Sequence, residues 1–242
     1  MRNIKLTIEY DGTDFCGWQI QASDRTVQEE IERSMSMLID SPVRITGAGR
    51  TDSGVHALAQ AANFKTDSEL PLDVFVRGGN SRLPHDVRIV SAEEVADDFS
   101  ARYSAKSRLY RYVITKRQKA VGRRYCWYYW NPLNIEKMNA ACTAILGTQD
   151  FQSFCQAKAE VDHYLCDVHY AFWRETKDEL VFEIRANRFL HNMVRILVGT
   201  MVEIGDARLQ SSTMVEILAA RNRAAAGATA PAPGLFLVEI EY

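Results

Sequence analysis

The 242-residue sequence predicts an α+β protein of two halves, residues 1–104 and 105–242, each running βαββαβ. Three observations carry that expectation. Each half opens on a period-2 alternation, Ile4, Leu6, Ile8 and Tyr10 in the first and residues 107–116 in the second, the mark of a half-buried strand. Helix-period apolar stripes follow at matching places in both halves. The composition, 47% apolar and 25% charged, is that of a globular chain able to bury a core in each half.

Taken in order, residues 4–10 form the first strand. Thr26, with Glu29 three residues on, reads as a capping box opening a helix whose Val27, Ile31, Met35 and Leu38 share a face. Strands follow at 43–46 and 57–65, a short helix begins near Pro71, and residues 87–96 close the half. In the second half, residues 107–116 form a strand and Asn134 caps a helix carrying Ile135, Met138, Cys142 and Ile145. Strands at 164–175 and 179–186 flank a polar turn at Thr176 to Asp178. A helix spans Asn187 to Gly205 and another Ser212 to Asn222. An Ala/Gly/Pro stretch, 224–234, leads to the strand LFLVEIEY. Two ferredoxin-like units with mainly antiparallel sheets therefore fit. RNA-recognition modules share that plan, although a fold by itself assigns no function.

No stretch is long and apolar enough to span a bilayer, and the start MRNIKLTIEYDG lacks an apolar signal core, so a cytoplasmic protein without membrane contact is expected. The five cysteines (16, 126, 142, 155 and 166) are odd in number and lack CxxC spacing, which suits free thiols. Net charge is only −2, but residues 102–124 carry nine basic groups and no acid. These are Arg102, Lys106, Arg108, Arg111, Lys116, Arg117, Lys119, Arg123 and Arg124, and eight aromatics lie within or just after the run. Cations neutralise phosphates and aromatic faces stack on unpaired bases, so an RNA surface and a solvated basic face are both open readings.

Three features carry chemistry. GAGRTDSGVHA (residues 47–57) sets Arg50, Asp52 and His56 among glycines that let a ligand approach, although Asp52 and Ser53 would also suit a simple turn. FLHNMVRILVGTMVEI (189–204) is apolar nearly all round and holds Arg195, with His191 one turn earlier. A guanidinium there needs a carboxylate or a phosphate, and Asp52, Glu183 and Glu203 are candidate acids. In the strand SRLYRY, Arg108, Tyr110 and Tyr112 share one face, and Tyr110 could meet a base or a neighbouring strand. Cys155, His163, Cys166 and His169 match zinc ligands in type only: C-x7-H-x2-C-x2-H is no finger spacing, and strand alternation sets both histidines opposite Cys166.

GRTDSGVH resembles the signature around the catalytic aspartate of TruA-type tRNA pseudouridine synthases. YDGTDFCGWQ (10–19), NSRLPHDVRI (80–89), FSARYSAKSRLYRY (99–112), DFQSFC (150–155), NRFLHNMVR (187–195) and GLFLVEIEY (234–242) resemble further blocks of that family, in order. The resemblance implies isomerisation of uridine to pseudouridine at positions 38 to 40 of the tRNA anticodon arm, without cofactor or metal. It implies Asp52 as the essential carboxylate, Arg195 as its ion-pair partner, and Arg50 opening the site for a flipped nucleotide. Tyr110 would stack on the uracil and Leu235 would line the pocket, while Arg108 and Arg111 of the basic run are expected to contact substrate. It further implies a homodimer, with the two halves flanking one catalytic cleft. Asn192 departs from the family pattern, standing where His is common. A non-catalytic RNA-binding protein of two recognition modules is the alternative from another class.

Overall fold

The computed structural model describes residues 1–156 and 162–242. In chain order the first elements are β1 (Arg2–Tyr10), α1 (Val27–Ile39), β2 (Thr46–Gly47), β3 (His56–Thr66), α2 (Leu72–Asn80) and β4 (Val87–Val95). Then come β5 (Ser107–Thr115), β6 (Trp127–Tyr128), α3 (Ile135–Thr143), β7 (Gly147–Asp150), β8 (Leu165–Glu175) and β9 (Glu179–Ala186). The last are α4 (Met193–Gly205), α5 (Thr213–Ala220) and β10 (Leu235–Glu241). The architecture is mixed α+β, with mostly antiparallel strand pairing. The chain forms two compact units: unit 1 comprises Met1–Lys106 and Phe236–Tyr242, and unit 2 Ser107–Leu235. The sequence predicts LFLVEIEY as the close of the second half. Its residues from Phe236 onward instead pack with unit 1, because the strand runs parallel to β3, with Phe236 opposite His56 and Leu237 opposite Ala57.

In unit 1, β1 is central: it pairs antiparallel with β3 and β4, while β2 pairs with β3. Ile4, Leu6 and Ile8 are fully buried, as are Val27, Ile31 and Met35 of α1, so both predicted faces form core. The predicted capping box does not form. Thr26 is the N-cap residue but its side chain makes no cap bond, and the N–H groups of Val27 and Gln28 donate to the carbonyls of Gly17 and Trp18 at 3.2 and 3.0 Å. Thr26 Oγ1 is left buried without a hydrogen-bond partner, and Glu29 faces solvent. The strand predicted at 43–46 shrinks to Thr46–Gly47. Side chains of α1 take its donors, Val43 N–H bonding Ser36 Oγ at 2.8 Å and Ile45 N–H bonding Glu32 Oε1 at 3.0 Å.

In unit 2 the strand order is β5-β9-β8-β7, with β6 parallel to β5. Asn134 caps α3 as expected, its Oδ1 accepting from Lys137 N–H at 2.9 Å. Helix α4 begins at Met193, six residues later than the predicted start at Asn187, because Asn192 adopts a left-handed φ of 62°. Eight large apolar side chains of α4 are buried. At about 1.5–3 kcal/mol each they outweigh the several kcal/mol that a partly desolvated Arg195 costs. No helix among the described residues is long and apolar enough to cross a membrane.

Candidate active site

The loop between β2 and β3 holds Arg50 and Asp52, and the segment after β1 supports it. Tyr10 Oη and Thr51 Oγ1 share a buried hydrogen bond of 2.7 Å. Trp18 N–H donates to Thr51 O at 3.1 Å, and the Phe15 carbonyl accepts from both Ser53 Oγ at 3.2 Å and Gly54 N–H at 3.3 Å. Gly17 makes this grip possible: with φ +89°, a Cβ there would lie 2.6 Å from Thr51 O. His56 is buried, takes the Gly12 N–H on Nδ1 at 3.0 Å, and stacks on Phe236 with centroids 4.8 Å apart. Gln60 Nε2 donates to Gly49 O at 2.9 Å. The loop thus has fixed edges, a half-buried Asp52 and an exposed Arg50. The backbone that carries Asp52 is held before a ligand arrives, a condition for placing any reacting group on it.

Behind this segment lies an ion pair that the sequence alone does not reveal. Arg25 makes a bidentate contact with Asp86 at 2.8 and 2.9 Å and sits over the Phe15 ring, 4.0 Å from its centroid. Asp86 also raises the proton affinity of Arg25, against the opposing effect of burial. The backbones join the same cluster: Cys16 N–H donates to Arg25 O, and Asp11 N–H to Asp86 O, both at 2.9 Å. Asp86 lies within NSRLPHDVRI and Phe15 within YDGTDFCGWQ, so two of the ordered sequence blocks meet here.

The other candidate residues belong to unit 2. Tyr110 on β5 is buried, and its ring meets Phe189 edge-on at 5.0 Å. Arg108 Nη1 donates to Asn187 O at 2.7 Å. Arg111 lies opposite Glu183 on β9 and pairs with it at 2.8 Å. Arg195, in the first turn of α4, sends Nε to Ala230 O and Nη1 to Asn192 Oδ1, both at 2.8 Å. His191 is exposed and precedes α4, so the predicted one-turn relation to Arg195 within a helix does not arise. Of the acids considered for Arg195, Glu183 pairs with Arg111, and Glu203 Oε1 accepts from Ala228 N–H at 3.0 Å.

Leu235 is buried and follows a stretch that α4 holds in place. Ala230 N–H bonds Arg195 O and Gly227 N–H bonds Thr200 Oγ1, both at 3.0 Å. A Cβ on Gly199 would fall 1.7 Å from Ala228 O, so the chain lies directly on the helix backbone there. Nearby, the buried Tyr112 Oη donates to Pro231 O at 2.7 Å, and burial pushes its ionisation upward despite the positive charge of Arg195.

The basic run is less bare than the sequence suggests. Besides Arg111, Lys116 pairs with Glu175, Arg117 with Asp178 and Lys119 with Glu179, all acids near the β8–β9 turn. Among the zinc-like residues, Cys166 is buried and His169 exposed, the opposite faces that strand alternation predicts.

The sequence matches the family model described as tRNA pseudouridine synthase over residues 6–104 and 141–242. It is 48% identical over 239 residues to "tRNA pseudouridine synthase A" of Halalkalibacterium halodurans, covering 97% of this chain and 90% of that protein. Proteins of the same name from Acetivibrio thermocellus and Caldicellulosiruptor bescii are 45% and 43% identical, with both chains covered in full.

Proposed function

The chain belongs to the tRNA pseudouridine synthase family, and from that premise we propose that it isomerises uridine in the tRNA anticodon arm, at positions 38 to 40, with Asp52 as the reacting carboxylate. The observation that carries the activity is full-length identity of 43% and 45% to relatives named for it. The reaction breaks N1–C1′, turns the uracil, joins C5 to C1′, releases the C5 proton and leaves N1 to take one up from solvent. Nothing is oxidised and no group is imported, so the chemistry calls for no cofactor.

In this reading Asp52, fixed by the grip on residues 51–54, acts as nucleophile or as proton acceptor. Arg195 is its counter-ion, Tyr110 the ring against which uracil stacks, and Leu235 part of the pocket wall. Arg50 is exposed beside Asp52 and suits contact with an extruded nucleotide, whose unstacking costs a few kcal/mol. Arg108 and Arg111 would add phosphate contacts, Arg111 sharing its charge with Glu183. The two units would act as ferredoxin-like halves of one cleft in a cytoplasmic homodimer. Support for these assignments comes from the ordered blocks around each residue.

Tritium release from tRNA labelled at uridine C5 tests the proposal. Wild type should release tritium, and Asp52→Ala should lose at least about 10³-fold of the rate while still binding tRNA. Release retained by Asp52→Ala moves the carboxylate elsewhere. Binding without release by wild type favours a non-catalytic RNA-binding protein.

A further inference from the structure

Unit 2 contains a cavity of about 190 Å³ lined by Thr115, Gln118, Lys119, Arg123, Cys126 and Tyr128. Its origin is topological. Strand β6 runs parallel to β5 with Tyr128 opposite Thr115, and Gln118, Lys119 and Arg123 of the loop between them line the open gap. Thr115 lies five residues along β5 from Tyr110, roughly 16 Å at about 3.3 Å per residue, so the cavity is separate from the proposed uracil-stacking ring.

Size and charge narrow what it admits. Its volume corresponds to roughly six waters and falls below the roughly 300 Å³ at which pockets begin to bury whole small molecules. A phosphate group fits and a nucleoside does not. The lining includes two cations and no acid. Lys119 is already paired with Glu179, whereas Arg123 donates to Ala120 O at 3.0 Å and meets no acid among the described residues. Arg123 is therefore the uncommitted positive charge of the cavity.

The surroundings add aromatic surface. Trp127 and Tyr129 turn inward: Trp127 meets Tyr112 edge-on at 6.3 Å and Tyr129 at 5.0 Å. Alternation turns Tyr128 and Trp130 the other way, leaving them 40% and 73% exposed. A cation beside exposed rings suits a nucleic-acid backbone whose neighbouring base or ribose packs on a ring face.

We propose that this cavity is a phosphate subsite for RNA outside the reaction centre, with Arg123 neutralising the phosphate and Tyr128 packing against the adjoining nucleotide. It rests on the reading of tRNA as substrate. The subsite would hold tRNA through backbone contacts that carry no sequence information, and so serve affinity for tRNAs in general.

The test is binding of unmodified tRNA across a salt series by wild type, Arg123→Gln and Tyr128→Ala, each first shown to melt as wild type does. Arg123→Gln should weaken binding several-fold and flatten the slope of log Kobs against log salt by roughly one. Tyr128→Ala should weaken binding roughly five-fold or more with little change of slope. Wild-type slope and affinity in Arg123→Gln, with tritium release intact, overturn the subsite alone. A wild type that does not bind tRNA overturns the substrate reading and the subsite with it. Broadening of the ³¹P line of inorganic phosphate by wild type that Arg123→Gln abolishes, with tRNA binding unchanged, would mark a free-phosphate site and overturn the RNA assignment. So would a shift in sedimentation with tRNA binding unchanged, which would make this face a protein contact.

Discussion

Gly199 and Asn192 show how much of α4 rests on single side chains. The absent Cβ of Gly199 lets the Ala228 carbonyl lie on the helix, and Gly199→Ala should therefore displace residues 227–230. Overpacking of this kind costs about 1–3 kcal/mol, readable as a lower urea midpoint. An unchanged midpoint would mean that the stretch gives way freely. Asn192 tolerates the left-handed backbone that starts the helix, and its Oδ1 accepts from Arg195, so it directs the guanidinium. The cysteines give a second prediction at this scale. Burial pushes Cys142 and Cys166 up to about 12, leaving about one thiolate in 10⁴ at pH 8. Iodoacetamide at pH 8 should label exposed Cys16 and reach these two only after unfolding, as peptide mass analysis would show. Residue types were legible where burial singles them out, as with Ile4, Leu6 and Ile8 or Val27, Ile31 and Met35. Partners were not: the acids that answer Lys116, Arg117 and Lys119 lie some 60 residues away.

At the scale of elements, the segment after β1 supports the Asp52 loop, and Arg25 with Asp86 holds that segment. Asp86→Asn removes one charge of the pair while keeping much of its shape. The charge-assisted bonds are worth about 1.5–3 kcal/mol, so the melting temperature should fall by a few degrees. If the pair positions the loop, tritium release should also fall roughly ten-fold, with tRNA affinity within about two-fold of wild type. A lower melting temperature with unchanged turnover would make the pair a stability feature only. Most elements were legible from periodicity, including β1, α1, β3, β5 and α3. Residues 43–45 were not, since alternation does not tell a strand ladder from a backbone bonded to Ser36 and Glu32. The two-residue β6 and four-residue β7 are too short for any period to register.

At the scale of the whole molecule, the chain leaves unit 1 after Lys106, builds unit 2, and returns to unit 1 at Phe236. Its return supplies the β3 partner, the ring on His56, the Tyr242 Oη bond to Ala101 O at 3.1 Å and the Glu241 carbonyl that accepts from Lys106 N–H at 2.8 Å. A chain ending at Leu235 should therefore lose stability in unit 1, seen as faster trypsin cleavage within residues 1–106. Cleavage confined to unit 2 would contradict this. Local patterns cannot report such a return, because nothing in LFLVEIEY names the strand it pairs with. The return also sets a timetable for synthesis. A ribosome adding some 5–20 residues per second makes unit 2 for several seconds while β3 still waits for β10. A nascent chain stalled in that interval would present an open sheet edge to chaperones and proteases, so release of the strand rather than emergence of the first unit would time its maturation.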